Sequence, residues 1–130
     1  MASCIPNKPR ILVVDDHAVV RKGVRSLLEK SGWTVCGEAA NGKDAIEQAM
    51  ALKPDLVLMD ISMPVMNGIE ATRQMRKLSP ETRVIILSMH DAPQIEQQAK
   101  EAGADAVLVK SGSVEDLHKT LLKVLRQPRE

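Results

Sequence analysis

Five polar residues directly follow apolar runs in this chain, and their types suit the handling of a divalent cation and a phosphoryl group. Asp15 and Asp16 come after one run, and Asp60, Ser88 and Lys110 each end another. Adjacent carboxylates repel each other unless a cation offsets their charge. Mg²⁺ is the natural candidate, because it accepts few protein oxygens and keeps water for a substrate phosphate. A carboxylate can also attack phosphorus, provided that nearby groups neutralise the phosphoryl oxygens.

The pair Asp15 and Asp16 has a simpler explanation if it is taken alone: one carboxylate caps the following helix and the other is solvated. Asp60 makes a shared cation the better explanation. Neighbouring strands of a sheet lie ~5 Å apart, so the Asp60 carboxylate reaches the same cation if its strand adjoins the first. Ser88 and Lys110 would then add a hydroxyl and a compact positive charge at the same edge.

The apolar runs in front of these residues are predicted to be strands of a parallel sheet. They occupy residues 11–14, 56–59, 84–87 and 107–109. Continuous apolar runs of this length, separated by helix-length segments, are typical of strands that are buried on both faces. Because ligands of such sheets bind at the carboxyl ends of the strands, the polar residues are expected to share one edge.

Five amphipathic helices and one further strand are predicted around these runs. Residues 34–39 are expected to form the second strand, at an edge of the sheet. The apolar stripe of the first helix comprises Val20, Val24, Leu27 and Leu28, and that of the second comprises Ala45, Ile46, Ala49 and Met50. Asp91 and Ser113 are the expected N-caps of the fourth and fifth helices. Five βα units with right-handed crossovers predict a three-layer α/β sandwich.

Composition excludes several classes of function. The chain has 130 residues, 44% of them hydrophobic and 27% charged, as expected for one globular domain. A net charge of +1 does not favour binding to nucleic acid or to an anionic membrane. No run approaches the ~20 apolar residues needed to span a bilayer, and no secretory signal is visible. Cys4 and Cys36 lack metal-type spacing, so we expect reduced thiols in a cytoplasmic protein.

Two alternative functions lack a residue that they need. A phosphotransferase-fold hydrolase requires a second Asp two positions after the nucleophile, to act as the general acid, but that position is Ser62. A dinucleotide-binding module requires a glycine-rich turn after the first strand, and residues 15–18 contain no glycine. Turnover of small phosphate esters and dinucleotide binding are therefore both disfavoured.

The chain resembles a bacterial response-regulator receiver domain of two-component signalling, most closely the NarL/LuxR type. The resemblance covers residues 10–126, which leaves residues 1–9 as an N-terminal extension and 127–130 as a tail or the start of a linker. The matching motifs are Val14-Asp15-Asp16-His17, Met59-Asp60-Ile61-Ser62-Met63-Pro64 with Asn67-Gly68, Ser88-Met89-His90-Asp91, and Ala102-Gly103-Ala104 leading to Lys110.

The resemblance implies a flavodoxin-like (βα)5 sheet with strand order 2-1-3-4-5, in which the first strand adjoins the third. It implies that Asp60 is the phosphoacceptor, and that Mg²⁺ is bound by Asp15, Asp16, Asp60 and the backbone carbonyl of Ser62. The phosphoryl donor would be a sensor histidine kinase. The chain would then be a switch rather than an enzyme, beyond catalysing its own phosphorylation and dephosphorylation.

The family also assigns the residues that sense the phosphoryl group and a surface that transmits the signal. Ser88 and Lys110 would contact the phosphoryl group, and the fourth helix, fifth strand and fifth helix would form a homodimer face controlling a transcriptional output domain. The chain itself would bind neither nucleic acid nor membrane. The alternative is a constitutive partner-binding or dimerisation module in which phosphorylation is vestigial.

Two positions depart from the family pattern. Val107 stands where members usually carry a Tyr or Phe that turns inward on activation, so we expect the signal to depend on Ser88 and the loop after it. Ser111 stands where many receivers have a Pro joined by a cis bond. A cis bond to a non-proline residue costs ~2.5–4 kcal/mol, so cis geometry is not expected here.

Overall fold

The computed structural model describes residues 9–89, 93–110 and 114–127. Strands and helices alternate along the whole described chain, as predicted. The elements are β1 (Arg10–Val14), α1 (Ala18–Lys30), β2 (Thr34–Ala39), α2 (Gly42–Leu52), β3 (Leu56–Asp60), α3 (Gly68–Leu78), β4 (Arg83–Ser88), α4 (Pro93–Ala102), β5 (Ala106–Val109) and α5 (Val114–Arg126). The predicted N-caps Asp91 and Ser113, and also Cys4, His90 and Ser111, lie outside the described residues.

The five strands form one parallel sheet in the order β2-β1-β3-β4-β5, so the predicted flavodoxin-like topology is confirmed. Val14 of β1 pairs with Met59 of β3. Ser88 of β4 pairs with Val109 of β5. The carboxyl ends of these strands therefore lie at the same level of the sheet, and the residues that follow them meet at one edge.

Both faces of the sheet are covered, because successive residues of each strand point to opposite sides. Ile11 and Val13 pack on the side of α1 and α5, in a cluster that includes Leu28 and Leu121. The alternate β1 residues pack on the other side, with apolar residues of α2, α3 and α4. Each fully buried Leu or Ile side chain contributes about 1.5–3 kcal/mol to folding, so this two-sided burial fixes the strands that carry the polar edge.

The stripes of the first two helices are narrower than predicted. Leu28 is buried, whereas Val20 is 40% exposed. Each four-residue step along an α-helix overshoots a full turn by about 40°, so Val20 lies well round the helix from Leu28. Met50, which is 44% exposed, is likewise turned away from the buried Ala45 and Ala49. No helix in the described ranges has the length and apolar character needed to cross a bilayer.

Trp33 packs α5 against the connection between α1 and β2. Its side chain is buried in the cluster on the α1 and α5 side of the sheet. The indole Nε1–H donates a hydrogen bond of 3.2 Å to Nδ1 of His118 on α5. The two rings meet edge to face, with their centroids 5.5 Å apart. Gly32 precedes Trp33 with φ +91°, a left-handed conformation that follows the end of α1.

Candidate functional site

The structure brings the predicted residues together at the carboxyl edge of the sheet. Asp15 follows β1, Asp60 ends β3 and Ser88 ends β4, and each of the three is only 2% exposed. Carboxylates are rarely buried to this extent unless they are paired or bind a metal. Lys110 follows β5, and 17% of its side chain is exposed. Asp16 lies beside Asp15 with 26% of its side chain exposed.

Lys110 links the two buried carboxylates across the sheet. Its Nζ donates to Oδ2 of Asp15 at 2.9 Å. The same nitrogen lies 3.1 Å from Oδ1 of Asp60, within ion-pair distance. A buried charge left without its partner is strongly destabilising, so the three side chains act as one electrostatic unit drawn from β1, β3 and β5.

The pKa values of this unit are shifted in a consistent way. Burial raises the pKa of the Asp60 carboxyl group, and the Lys110 ammonium only partly offsets that effect. Burial lowers the pKa of Lys110, but the hydrogen bond to Asp15 and the negative charges of Asp15 and Asp60 outweigh it and leave the pKa raised. Lys110 therefore remains a cation at neutral pH, held against Asp60.

The turn between β1 and α1 is held by a residue that the sequence interpretation missed. Arg21 donates from Nη1 to the backbone carbonyl of Asp15 at 2.7 Å. Its Nε donates to Oε1 of Glu38 on β2 at 2.8 Å. Hydrogen bonds from Arg25 and Arg21 lower the pKa of Glu38. The opposite charges of Arg21 and Glu38, on adjacent elements, were the only hint of this contact in the sequence. The contact holds the backbone of Asp15, which carries the acidic pair.

The loop between β3 and α3 is shaped by Asn67 and Gly68. The Asn67 side chain accepts a hydrogen bond from the backbone N–H of Glu70 and so caps α3. Gly68 then packs directly against the end of β3. A Cβ on Gly68 would lie 2.3 Å from the backbone oxygen of Asp60, closer than real contacts allow. Glycine is therefore required there for α3 to start beside the Asp60 backbone.

Replacing Gly68 by Ala should destabilise the fold by about 1–3 kcal/mol, because the added methyl group displaces backbone at the end of β3. Gly23 provides a matched control, since a Cβ added at Gly23 meets nothing within 4 Å. Gly23→Ala in the middle of α1 should stabilise by about 0.5–1 kcal/mol. Urea denaturation midpoints of the two variants would measure both effects, and equal shifts would contradict this account of Gly68.

The site contains donor atoms that suit a cation. Ligand atoms of Asp15, Asp16, His17 and Asp60 all lie within 4.8 Å of one another. Asp16 Oδ1 and Asp60 Oδ1 are buried and form no hydrogen bond with any residue in the described ranges. Three carboxylates face one ammonium group, so a divalent ion would offset the remaining negative charge. The predicted acidic residues therefore fit Mg²⁺.

Three other residues bear on the sequence predictions. The His17 side chain is 70% exposed, and its imidazole lies at the acidic cluster, a position that the sequence interpretation missed. Ser62 is exposed beside the site, and the role of its backbone carbonyl stays a prediction. Val107 is partly buried against the cluster on the α2, α3 and α4 side of the sheet. Aliphatic packing thus occupies the position at which members of the family that the sequence resembles usually carry an aromatic ring.

Comparison with known proteins agrees with this geometry. A family model described as the response regulator receiver domain matches residues 11–122. The chemotaxis protein CheY of Thermotoga maritima is 42% identical over 101 residues, covering 78% of this chain and 84% of that protein. The response regulator VraR of Staphylococcus saprophyticus is 41% identical over 115 residues. That match covers 88% of this chain but 55% of VraR, so the chain spans about half of that relative's length.

A solved structure shows the same fold. The crystal structure of a LuxR-family two-component response regulator from an Aurantimonas species superposes with a TM-score of 0.89 at 36% sequence identity. The superposition covers 95% of this chain and 89% of that one. The similarity of fold thus extends over nearly all of the chain.

Proposed function

The chain belongs to the response-regulator receiver family of two-component systems, and from that premise we propose that it is a switch phosphorylated on Asp60 by a sensor histidine kinase. One observation carries the proposal. Asp60 is 2% exposed, and its Oδ1 forms no hydrogen bond with the described residues, although it lies 3.1 Å from the Lys110 ammonium. A buried carboxylate oxygen with an adjacent cation is suited to accept a phosphoryl group.

Mg²⁺ would be held by Asp15, Asp16 and Asp60, with the backbone carbonyl of Ser62 as a further ligand. The support is the close grouping of the acidic side chains and the absence of hydrogen bonds to Asp16 Oδ1 and Asp60 Oδ1 within the described residues. When bound, Mg²⁺ supplies positive charge that offsets the charge on the phosphoryl oxygens.

The chain's own residues divide the remaining work. A carboxylate oxygen of Asp60 forms a bond to phosphorus as the bond from phosphorus to the imidazole nitrogen of the donor breaks. Lys110 pairs with a phosphoryl oxygen, in a charge-assisted contact that replaces part of its contact with Asp60. Asp15 keeps Lys110 in place through the hydrogen bond of 2.9 Å to Nζ. Ser88, buried at the end of β4, offers its hydroxyl group to the product.

Phosphorylation would alter the part of the sheet formed by β4 and β5, next to Ser88 and Lys110. The group adds about −2 charge at the edge of the sheet, and it shifts a conformational equilibrium only through contacts that differ between states. Ser88 and Lys110 lie where they can make such contacts. Val107 has no ring to reorient, so the signal would pass through Ser88 and the segment after it. The face formed by α4, β5 and α5 would then change its dimerisation or its control of an output domain.

Incubation with acetyl phosphate and Mg²⁺ tests the proposal directly. Intact-mass measurement should show a gain of ~80 Da, one phosphoryl group, and chelation of Mg²⁺ with EDTA should prevent it. The amide spectrum of residues 88–107 should change in the same sample. Absence of any adduct with acetyl phosphate or a phosphorylated kinase would favour the alternative, a constitutive interaction module.

A further inference from the structure

We propose that the acidic edge also binds borderline divalent transition-metal ions, with Nδ1 of His17 as a nitrogen ligand beside Asp15 and Asp16. The imidazole Nδ1 lies 3.0 Å from Oδ1 of Asp16. It lies 3.5 Å from Oδ1 of Asp15. Nδ1 of His17 therefore lies close to a carboxylate oxygen of each residue, directly before the start of α1.

These distances match those between ligands of a single ion. Donor atoms ~2.0–2.2 Å from one metal ion are about 2.8–3.6 Å from each other in octahedral or tetrahedral geometry. Both distances from His17 Nδ1, 3.0 Å and 3.5 Å, fall inside that range. Nδ1 of His17 is thus already spaced from each carboxylate oxygen as two ligands of one ion would be.

The local backbone holds His17 beside Asp15. The backbone N–H of His17 donates to Oδ1 of Asp15 at 2.9 Å. His17 is the N-cap residue of α1, yet its side chain makes no capping hydrogen bond. Asp15 is divided between two partners, because its Oδ2 accepts from Lys110 while its Oδ1 faces His17. Because the imidazole makes no capping hydrogen bond, it is not required to hold the start of α1 and is available to bind a metal ion.

A second observation points to a ligand at the same place. The Asp60 side chain is 3% exposed. Its Oδ1 is buried without a hydrogen bond to the described residues, with only the Lys110 ammonium nearby at 3.1 Å among the ion pairs found there, and Asp60 belongs to the group of donors within 4.8 Å of one another. A buried carboxylate oxygen directed into a cluster of donors is satisfied when a cation binds there.

The nitrogen donor determines which ions are favoured. Mg²⁺ takes oxygen ligands and gains little from an imidazole. Ni²⁺, Cu²⁺ and Zn²⁺ bind imidazole well. An ion held by His17 would occupy the carboxylates of Asp15 and Asp16 and exclude Mg²⁺ from them. Such ions would therefore oppose phosphorylation of Asp60, a consequence that rests on the proposed function, whereas the binding itself does not.

The test measures metal affinity without any phosphoryl donor. Ni²⁺ and Mg²⁺ are titrated separately by calorimetry into the untagged full chain and into His17→Ala. We expect the Ni²⁺ dissociation constant of His17→Ala to rise about 10-fold or more, the size of loss seen when a metal site is disrupted. The Mg²⁺ dissociation constant should change by less than about 2-fold. Circular dichroism verifies that both chains are folded.

His118→Ala is the matched control, because it removes a histidine that lies against Trp33 and not at the acidic edge. Its Ni²⁺ affinity should equal that of the unmodified chain. Asp16→Asn should weaken the binding of both ions. Undiminished Ni²⁺ affinity in His17→Ala would overturn the proposal, as would an equal loss in His118→Ala. Since no phosphorylation is measured, failure here leaves the function of Asp60 to be judged by its own experiment.

Discussion

Replacing Asp60 by Asn is expected to abolish phosphorylation. The neutral amide oxygen is a poor nucleophile toward phosphorus and brings no negative charge to a bound divalent cation. With acetyl phosphate and Mg²⁺, intact-mass measurement should show no gain for Asp60→Asn under conditions that label the unmodified chain fully. Lys110 keeps its hydrogen bond to Asp15 in this variant, so the fold should persist.

Asp55→Asn is the matched control for this experiment. Asp55 immediately precedes β3, at the opposite end of the strand from Asp60. It accepts a hydrogen bond from the backbone N–H of Arg10 at 2.8 Å, which an Asn oxygen can also accept. Asp55→Asn should therefore gain the phosphoryl group at the normal rate. An adduct on Asp60→Asn would assign the phosphoacceptor to another residue and refute the assignment made here.

Replacing Lys110 by Met is expected to slow phosphorylation by about 10²-fold or more, the usual loss when a group that stabilises developing charge is removed. The variant should also lose stability, because Asp15 and Asp60 are left as buried carboxylates without their shared cation. Removal of one partner from a buried ion pair costs about 3–5 kcal/mol. Rates of adduct formation and urea denaturation midpoints would measure the two effects.

Mg²⁺ and a conservative variant separate the two roles of Lys110. Added Mg²⁺ should raise the denaturation midpoint of Lys110→Met more than that of the unmodified chain, because the ion offsets the unpaired carboxylates. Lys110→Arg keeps the positive charge and should recover much of the stability. A normal phosphorylation rate in Lys110→Met would show that the Lys110 ammonium is not needed for the transfer.

The strands and their polar ends were predictable because their signals are local. Each apolar run ends on a polar residue, so β1, β3, β4 and β5 could be placed from the sequence, and with them Asp15, Asp60, Ser88 and Lys110. The order of the strands could not be predicted from local signals, because right-handed crossovers permit more than one arrangement of five βα units. The order came from the family resemblance, and the structure confirms it.

The contacts between distant residues could not be predicted in the same way. Lys110 was expected near the phosphoryl group, but its link to both Asp15 and Asp60 depends on side-chain reach across three strands. The contacts of Arg21 with Glu38 and with the backbone of Asp15 depend on how α1 sits on the sheet. Sequence periodicity indicates which face of a helix is buried, and not which charged residues meet at its margin.

The buried Trp33 provides the chain with an intrinsic fluorescence probe. The sequence has one Trp and neither Tyr nor Phe, so intrinsic fluorescence arises from a single position. That indole donates to His118 on α5, so its emission reports the position of α5, and the sequence has no Tyr or Phe to transfer energy to it. If phosphorylation displaces α5, the change will be visible in real time in the fluorescence of the unlabelled protein.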